Sequence, residues 1–207
     1  MKIARVEPFH VEWGAGRNRS AWVRIWTGDG AYGLGEASPM VHGSASLEII
    51  EEPVQHYHVE SFAKVAAALD IAVSAGEQEY TLQGIKRLIE AGVDIVQPDI
   101  VKTGGFTGLG DMAALARAYG VDFVPHQTQP SIGHTANLHF VASLTHSHHP
   151  AEYNGPYQVQ DVVFRTPVRL VKGKFVLSDA PGLGLELDEA ELTKRTIPWT
   201  SSAPGAR

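Results

Sequence analysis

Short apolar segments recur along this chain, and an acidic or imidazole side chain follows each of them at a nearly constant interval. The intervals are 22 to 27 residues, about the length of one strand–helix unit in an eightfold barrel. These side chains are Glu51, Glu77, Asp99, His126 and Glu152. Parallel strands deliver the residues that follow them to the same edge of a sheet. The spacing therefore predicts that all five converge at one edge.

From about residue 48 onward, the segments between these side chains alternate between strand and helix patterns. Strands are predicted at 71–74, 93–97 and 121–124, and helices at 80–91, 109–119 and 131–144. This alternation is typical of parallel βαβ units with right-handed crossovers. The chain is therefore predicted to be an α/β protein.

The first 43 residues have a β pattern instead. Strand-like runs occupy 3–13, 21–26 and 31–35, and Asp29-Gly30 between the last two is a strong hairpin signal. Residues 44–50 are predicted to begin a helix, and a second hairpin is predicted to turn at 172–174. The N-terminal part is thus expected to differ in architecture from the rest.

Composition excludes several classes of partner. The formal net charge is −6 and no block of Lys or Arg stands out, so a nucleic acid partner is not expected. No segment approaches the roughly 20 apolar residues of a membrane span, and the N-terminus lacks a secretory pattern. With no cysteine in the chain, neither disulfides nor thiol chemistry is available. These features predict a cytoplasmic protein that does not bind membranes.

Several short motifs resemble, in order, those of the mandelate racemase group of the enolase superfamily. They are Glu-Glu-Pro at 51–53, Ala-Gly-Glu at 75–77, Gln-Pro-Asp with Lys-Thr-Gly-Gly at 97–105, Val-Pro-His at 124–126 and Ala-Glu-Tyr at 151–153. Segments 32–37 and 181–187 resemble parts of the capping domain and of the C-terminal return. The resemblance implies a (β/α) TIM-type barrel with an N-terminal α+β capping domain. This chain is too short for both, so we expect an incomplete barrel of about five βα units (48–178), a capping-domain remnant (1–47) and a return segment (179–207).

The resemblance also implies a role for each residue of the series. Glu51 and Glu77 match two carboxylate ligands of Mg²⁺, a cation that prefers oxygen donors. Asp99 and His126 match a dyad in which the carboxylate orients the imidazole for proton transfer. Glu152 matches a hydrogen-bond partner of the substrate carboxylate, and Lys102 matches a supporting residue of the loop after Asp99.

Two elements of the family pattern are missing from the sequence. No Lys-x-Lys base motif and no first carboxylate ligand precede Glu51. The resemblance implies Mg²⁺-dependent removal of a proton next to a carboxylate, leading to dehydration or racemisation of an acid sugar or 2-hydroxy acid. The alternative is a catalytically inactive remnant that binds a metal or a carboxylate, or that oligomerises. Mg²⁺ binding is expected to be weak or absent, and the open edge of a shortened barrel predicts a homo-oligomer.

Structural interpretations remain open for the same residues. Glu77 is also suited to the first turn of a helix, and Asp99 to a cap of the turn at Gly104-Gly105. The run of His146, His148 and His149 is interpreted as a solvated loop rather than a transition-metal site. The regular spacing of the five side chains favours the functional interpretation of Glu77 and Asp99.

Overall fold

The computed structural model describes residues 2–13, 18–36, 49–145, 149–156 and 160–197. The N-terminal part is an antiparallel sheet in the order β1 (Ile3–Trp13), β2 (Asn18–Thr27) and β3 (Tyr32–Glu36). At the β2–β3 turn, Gly30 has a φ of 86°, a conformation that glycine adopts without a steric cost. The predicted strands and hairpin are confirmed.

A parallel sheet follows, in the order β4 (Ile49–Glu51), β5 (Ala72–Ala75), β6 (Ile95–Val96) and β7 (Asp122–Phe123). Four helices alternate with these strands. They are α1 (Val59–Ala66), α2 (Leu82–Glu90), α3 (Gly105–Tyr119) and α4 (Ser131–Ser143). Each strand pairs with the next one along the chain, as consecutive βα units require. The predicted α/β class with a parallel sheet is confirmed.

The hydrophobic core lies between this sheet and its helices. Val73, Val96 and Phe123 supply its strand side, and all three are fully buried. The helices contribute through apolar positions spaced by about one turn; α2, for example, buries Ile85 and Leu88.

The structure differs from the sequence predictions at four points. Residues 49 and 50 belong to β4 rather than to a helix, and the rest of the predicted helix at 44–50 lies outside the described residues. The described residues directly before Glu152 (149–151) form no strand, so the described part contains four parallel strands. Helix α1 was not predicted. Helix α3 begins at Gly105 instead of 109, directly after Gly104 in the left-handed region.

The C-terminal part contains the predicted hairpin, formed by β8 (Arg169–Val171) and β9 (Lys174–Val176). A short 3₁₀ turn (Asp161–Val163) precedes it and α5 (Glu189–Arg195) follows it. Within the described ranges, no helix is long and apolar enough to cross a membrane.

Candidate active site

The backbone of the parallel sheet brings the predicted residues to one edge. Glu51 is the last residue of β4 and pairs in register with Ser74 of β5. Beyond β6 and β7 the chains stay parallel, and Asp99 and His126 form an additional bridge. Glu77 lies two residues after β5. The predicted convergence at the C-terminal ends of the strands is what the structure shows for these residues.

Asp99 and His126 form a buried dyad. His126 Nδ1 lies 3.0 Å from Asp99 Oδ2, and neither side chain is more than 6% exposed. Burial alone would raise the pKa of Asp99, but hydrogen bonds from His126, the Val101 N–H and Gln129 together lower it. The carboxylate is thus held ionised, and it fixes Nδ1 of His126 as the protonated nitrogen.

The second ring nitrogen of His126 faces Glu77. Nε2 lies 2.8 Å from Glu77 Oε2, so the imidazole stands between two carboxylates. Burial alone would lower the pKa of His126. The hydrogen bond to Asp99 and the charges of Glu152 and Glu77 outweigh that effect, and the pKa is raised. This arrangement favours the imidazolium form of His126.

Backbone geometry accounts for the position of Glu77. Gly76 has a φ of 131°, and a Cβ atom there would lie 3.1 Å from the backbone nitrogen of Gln97. A larger residue would therefore push β5 and β6 apart just before Glu77. Lys102 donates from Nζ to the Glu77 carbonyl oxygen at 2.8 Å and lies 3.6 Å from Asp99 Oδ2. Lys102 thus ties the loop after Asp99 to the loop after β5.

Glu51 and Glu152 complete an electronegative cluster. Glu51 is exposed as a residue, yet partial burial of its carboxyl group, and then the charges of Glu152 and Glu77, raise its pKa. Burial also raises the pKa of Glu152, although its Oε2 accepts the Gln127 N–H at 2.7 Å. The charge of Glu77 contributes to the raised pKa of both Glu51 and Glu152. Glu152 therefore joins the site although none of the described strands carries it.

Gln129 also contacts the dyad, although its sequence context did not predict it as a site residue. Its Nε2 donates to Asp99 Oδ2 at 2.9 Å, the same oxygen that binds His126. The contact depends on the path of the loop after His126, and neither strand spacing nor motif order reports on that path. Gln129 therefore supports the orientation of the dyad from a position that its sequence context does not single out.

The acidic cluster is chemically suited to a hard divalent cation. Carboxylate oxygens are the donors that Mg²⁺ prefers, and a cation would offset the burial and the neighbouring negative charges that raise the pKa of Glu51 and Glu152. Glu152 Oε1 is buried and has no hydrogen-bond partner among the described residues. No group of three potential ligands with metal-binding geometry occurs in the described ranges. The donors fit Mg²⁺ in kind, and Glu51 and Glu77 would hold it together with water.

The histidine run is only partly described. His149 Nε2 lies 2.9 Å from Asp122 Oδ2, at the start of β7 and away from the C-terminal edge. His146 and His148 lie outside the described residues. His149 thus has a structural partner.

Comparison with known proteins gives consistent matches. A family model described as enolase C-terminal domain-like matches residues 25–191. A D-galactarolactone cycloisomerase from Agrobacterium fabrum is 31% identical over 84% of this chain and 46% of its own length. A D-galactonate dehydratase from Ralstonia pickettii is 35% identical over 71% of this chain and 40% of its own length. The chain thus spans less than half the length of these curated relatives.

Solved structures agree with the sequence matches. A mandelate racemase/muconate lactonizing protein from Paracoccus denitrificans, complexed with magnesium, is 56% identical with a TM-score of 0.69, covering 72% of this chain and 40% of that one. A second protein of this description from the same organism is 28% identical with a TM-score of 0.71, covering 97% of this chain and 99% of that one. The similarity therefore extends to the fold.

Proposed function

This chain belongs to the enolase C-terminal domain-like family, and from that membership we propose that it binds a sugar acid or 2-hydroxy acid and transfers a proton at the carbon beside the carboxylate. The observation that carries the proposal is the buried Asp99–His126 dyad at the C-terminal edge of the parallel sheet. The names of the curated relatives, a dehydratase and a cycloisomerase of galactose-derived acids, support an acid-sugar substrate.

The residues of the chain divide the chemistry among them. Asp99 holds the Nδ1 proton of His126, and Nε2 exchanges a proton with the substrate once Glu77 has moved aside. Glu152 donates a hydrogen bond to the substrate carboxylate when its own carboxyl group is protonated, a form that its raised pKa favours. Mg²⁺ bound by Glu51 and Glu77 would stabilise the negative charge that develops on that carboxylate. Lys102 keeps the two loops in register.

The barrel is proposed to be incomplete, with about five βα units, counting the segment that carries Glu152 as the fifth. The Lys-x-Lys motif and one carboxylate ligand have no counterpart before Glu51 in the sequence. General acid–base groups each contribute about 10²–10⁴-fold to a rate, so this chain alone should exchange the proton slowly and turn over little. That absence also favours the second candidate, an inactive module that binds a carboxylate or a metal.

Solvent exchange tests proton transfer directly. D-Galactonate is incubated with a high concentration of the protein in D₂O with Mg²⁺, and loss of the α-proton signal is followed by NMR. Slow exchange is expected, and His126→Asn should abolish it. His149→Gln, a histidine paired with Asp122 away from the edge, should leave it unchanged. Absence of exchange in the folded wild-type protein would favour the inactive module. Fast turnover to product would mean that the missing groups come from elsewhere.

Titration calorimetry tests the cation site. Mg²⁺ is expected to bind weakly, with a dissociation constant in the millimolar range, because two protein carboxylates hold it. Glu77→Gln should weaken binding further, whereas Glu60→Gln, an exposed position in α1, should not. Tight stoichiometric binding by the monomer would contradict a two-carboxylate site.

A further inference from the structure

A polar cleft opens beside the carboxylate cluster, between the segment after β4 and the residue that follows Glu77. Its volume is about 760 Å³. The polar residues that line it are Glu52, Gln55, His56, His58, Ser61 and Gln78. Two of them connect it to the site: Gln78 Nε2 donates to Glu77 Oε1 at 2.6 Å, and Glu52 Oε1 accepts the Gly76 N–H at 3.4 Å. The cleft therefore adjoins the carboxylate cluster at Gln78 and Glu52.

The lining has the hydrogen-bonding chemistry of a hydroxyl site. The amides of Gln55 and Gln78 and the hydroxyl of Ser61 both donate and accept hydrogen bonds, and the imidazoles of His56 and His58 add further hydrogen-bonding nitrogens. A sugar hydroxyl also donates and accepts, so these groups match it in kind. Pro53 and Val54 supply apolar surface for the C–H groups of a carbon chain.

The charges of the lining disfavour a second anion. Among the described residues that line the cleft there is no Lys or Arg, and Glu52 adds a carboxylate to it. A carboxylate or phosphate placed there would lack a Lys or Arg partner and would be repelled by Glu52. A neutral polyol encounters neither penalty.

The size of the cleft also suits such a chain. Small-molecule sites commonly occupy about 300–1,000 Å³, and the cleft lies within that range. A chain of several hydroxylated carbons fits beside a carboxylate bound at the neighbouring cluster. The β4–α1 segment that forms one wall is short and connects two regular elements, β4 and α1.

We propose that this cleft receives the neutral hydroxylated tail of a monocarboxylic sugar acid, and that it discriminates against dicarboxylic sugar acids. The inference rests on the proposed function, because the carboxylate of the substrate is placed at the acidic cluster. Gln55, His56 and Ser61 then act as specificity-determining residues. Their side chains contact the tail and not the reacting carbon.

Binding of three ligands to the full chain separates the tail from the carboxylate. D-Gluconate carries both, glycolate carries the carboxylate without the tail, and D-glucarate carries a second carboxylate at the far end. In the presence of Mg²⁺, calorimetry should show gluconate binding about fivefold more tightly than glycolate, the effect of about one net hydrogen bond. Glucarate should bind no more tightly than glycolate.

Variants identify the cleft as the origin of the preference. Combining Gln55→Ala with His56→Ala should reduce the preference for gluconate over glycolate to about twofold or less and leave glycolate binding unchanged. Gln83→Ala removes an exposed glutamine from α2 and should preserve the fivefold preference. Circular dichroism confirms that each variant is folded.

The outcomes distinguish a failure of the inference about the cleft from a failure of the proposed function. Equal binding of gluconate and glycolate, or tight binding of glucarate, overturns the inference about the cleft while the proton-transfer function stands. A preference that survives the double variant also overturns it. If no carboxylate binds, or if binding is insensitive to Glu77→Gln, the proposed function fails and the inference fails with it.

Discussion

Replacing Asp99 with Asn tests the buried dyad while almost preserving its shape. The carboxylate accepts three hydrogen bonds: Oδ1 from the Val101 N–H at 2.9 Å, and Oδ2 from His126 at 3.0 Å and Gln129 at 2.9 Å. An amide has one acceptor oxygen, so in either orientation its NH₂ group faces at least one of these donors. An unsatisfied buried donor costs about 1–3 kcal/mol. We expect Asp99→Asn to lower the free energy of unfolding by about 2–4 kcal/mol at pH 7.

The loss of stability caused by Asp99→Asn should depend on pH in a definite direction. Since the folded-state pKa of Asp99 is lowered, its stabilising effect is complete above the unfolded pKa of about 3.9 and is lost as the pH falls through the folded value. The difference between wild type and variant in urea unfolding should therefore shrink between pH 5 and pH 3. Asp111→Asn, at an exposed site in α3, should change stability by less than about 0.5 kcal/mol at either pH. A loss below about 1 kcal/mol at pH 7, or a difference independent of pH, would refute the reasoning.

Three further predictions concern the fold. Phe123→Ala removes a fully buried ring and should lower the free energy of unfolding in urea by about 3–5 kcal/mol. Phe106→Ala, at a half-exposed position, should lower it by about 1 kcal/mol, and equal losses would contradict the assigned core. A Cβ at Gly110, within α3, would contact nothing, so Gly110→Ala should stabilise the protein by about 0.5–1 kcal/mol. Gly120 has a φ of 69°, so Gly120→Ala should destabilise the protein by about 1–2 kcal/mol. Stability changes of the same sign for both variants would be inconsistent with these conformations. Because β4 pairs only with β5 among the described strands, light scattering should show a dimer or larger assembly at micromolar concentration, and a stable monomer would argue against an open edge.

Sequence spacing was sufficient to place most of the candidate site. The period of one βα unit placed Glu77, Asp99 and His126 at one edge, and that placement requires only that consecutive parallel strands be neighbours. The direct contact between His126 and Glu77 was not predictable, because it depends on the left-handed turn at Gly76. Glu152 is held at the site by a hydrogen bond from the Gln127 N–H and not by a described strand. The functional roles of these residues stay predictions.

Short-range patterns explain the remaining differences in the fold. Residues 44–50 were predicted to begin a helix, but pairing with β5 makes residues 49 and 50 part of a strand, because tertiary contacts outweigh weak local propensity. Helix α1 was not predicted from its eight residues, of which only Phe62 is buried. Helix α3 begins at Gly105, directly after Gly104, and both residues have positive φ angles, which no helical periodicity reveals.

The nearest-neighbour pairing of the parallel strands has a kinetic consequence. Each strand contacts the next one in sequence, so forming the sheet closes loops of about one βα unit at a time and requires no distant encounter first. Strands β5 and β6 have partners on both sides within the described sheet, whereas β4 and β7 have one each. Amide hydrogens of β5 and β6 should therefore exchange last. The loops that carry Glu77 and Asp99 would be fixed first, and Glu51 and His126 would be added from the two flanks.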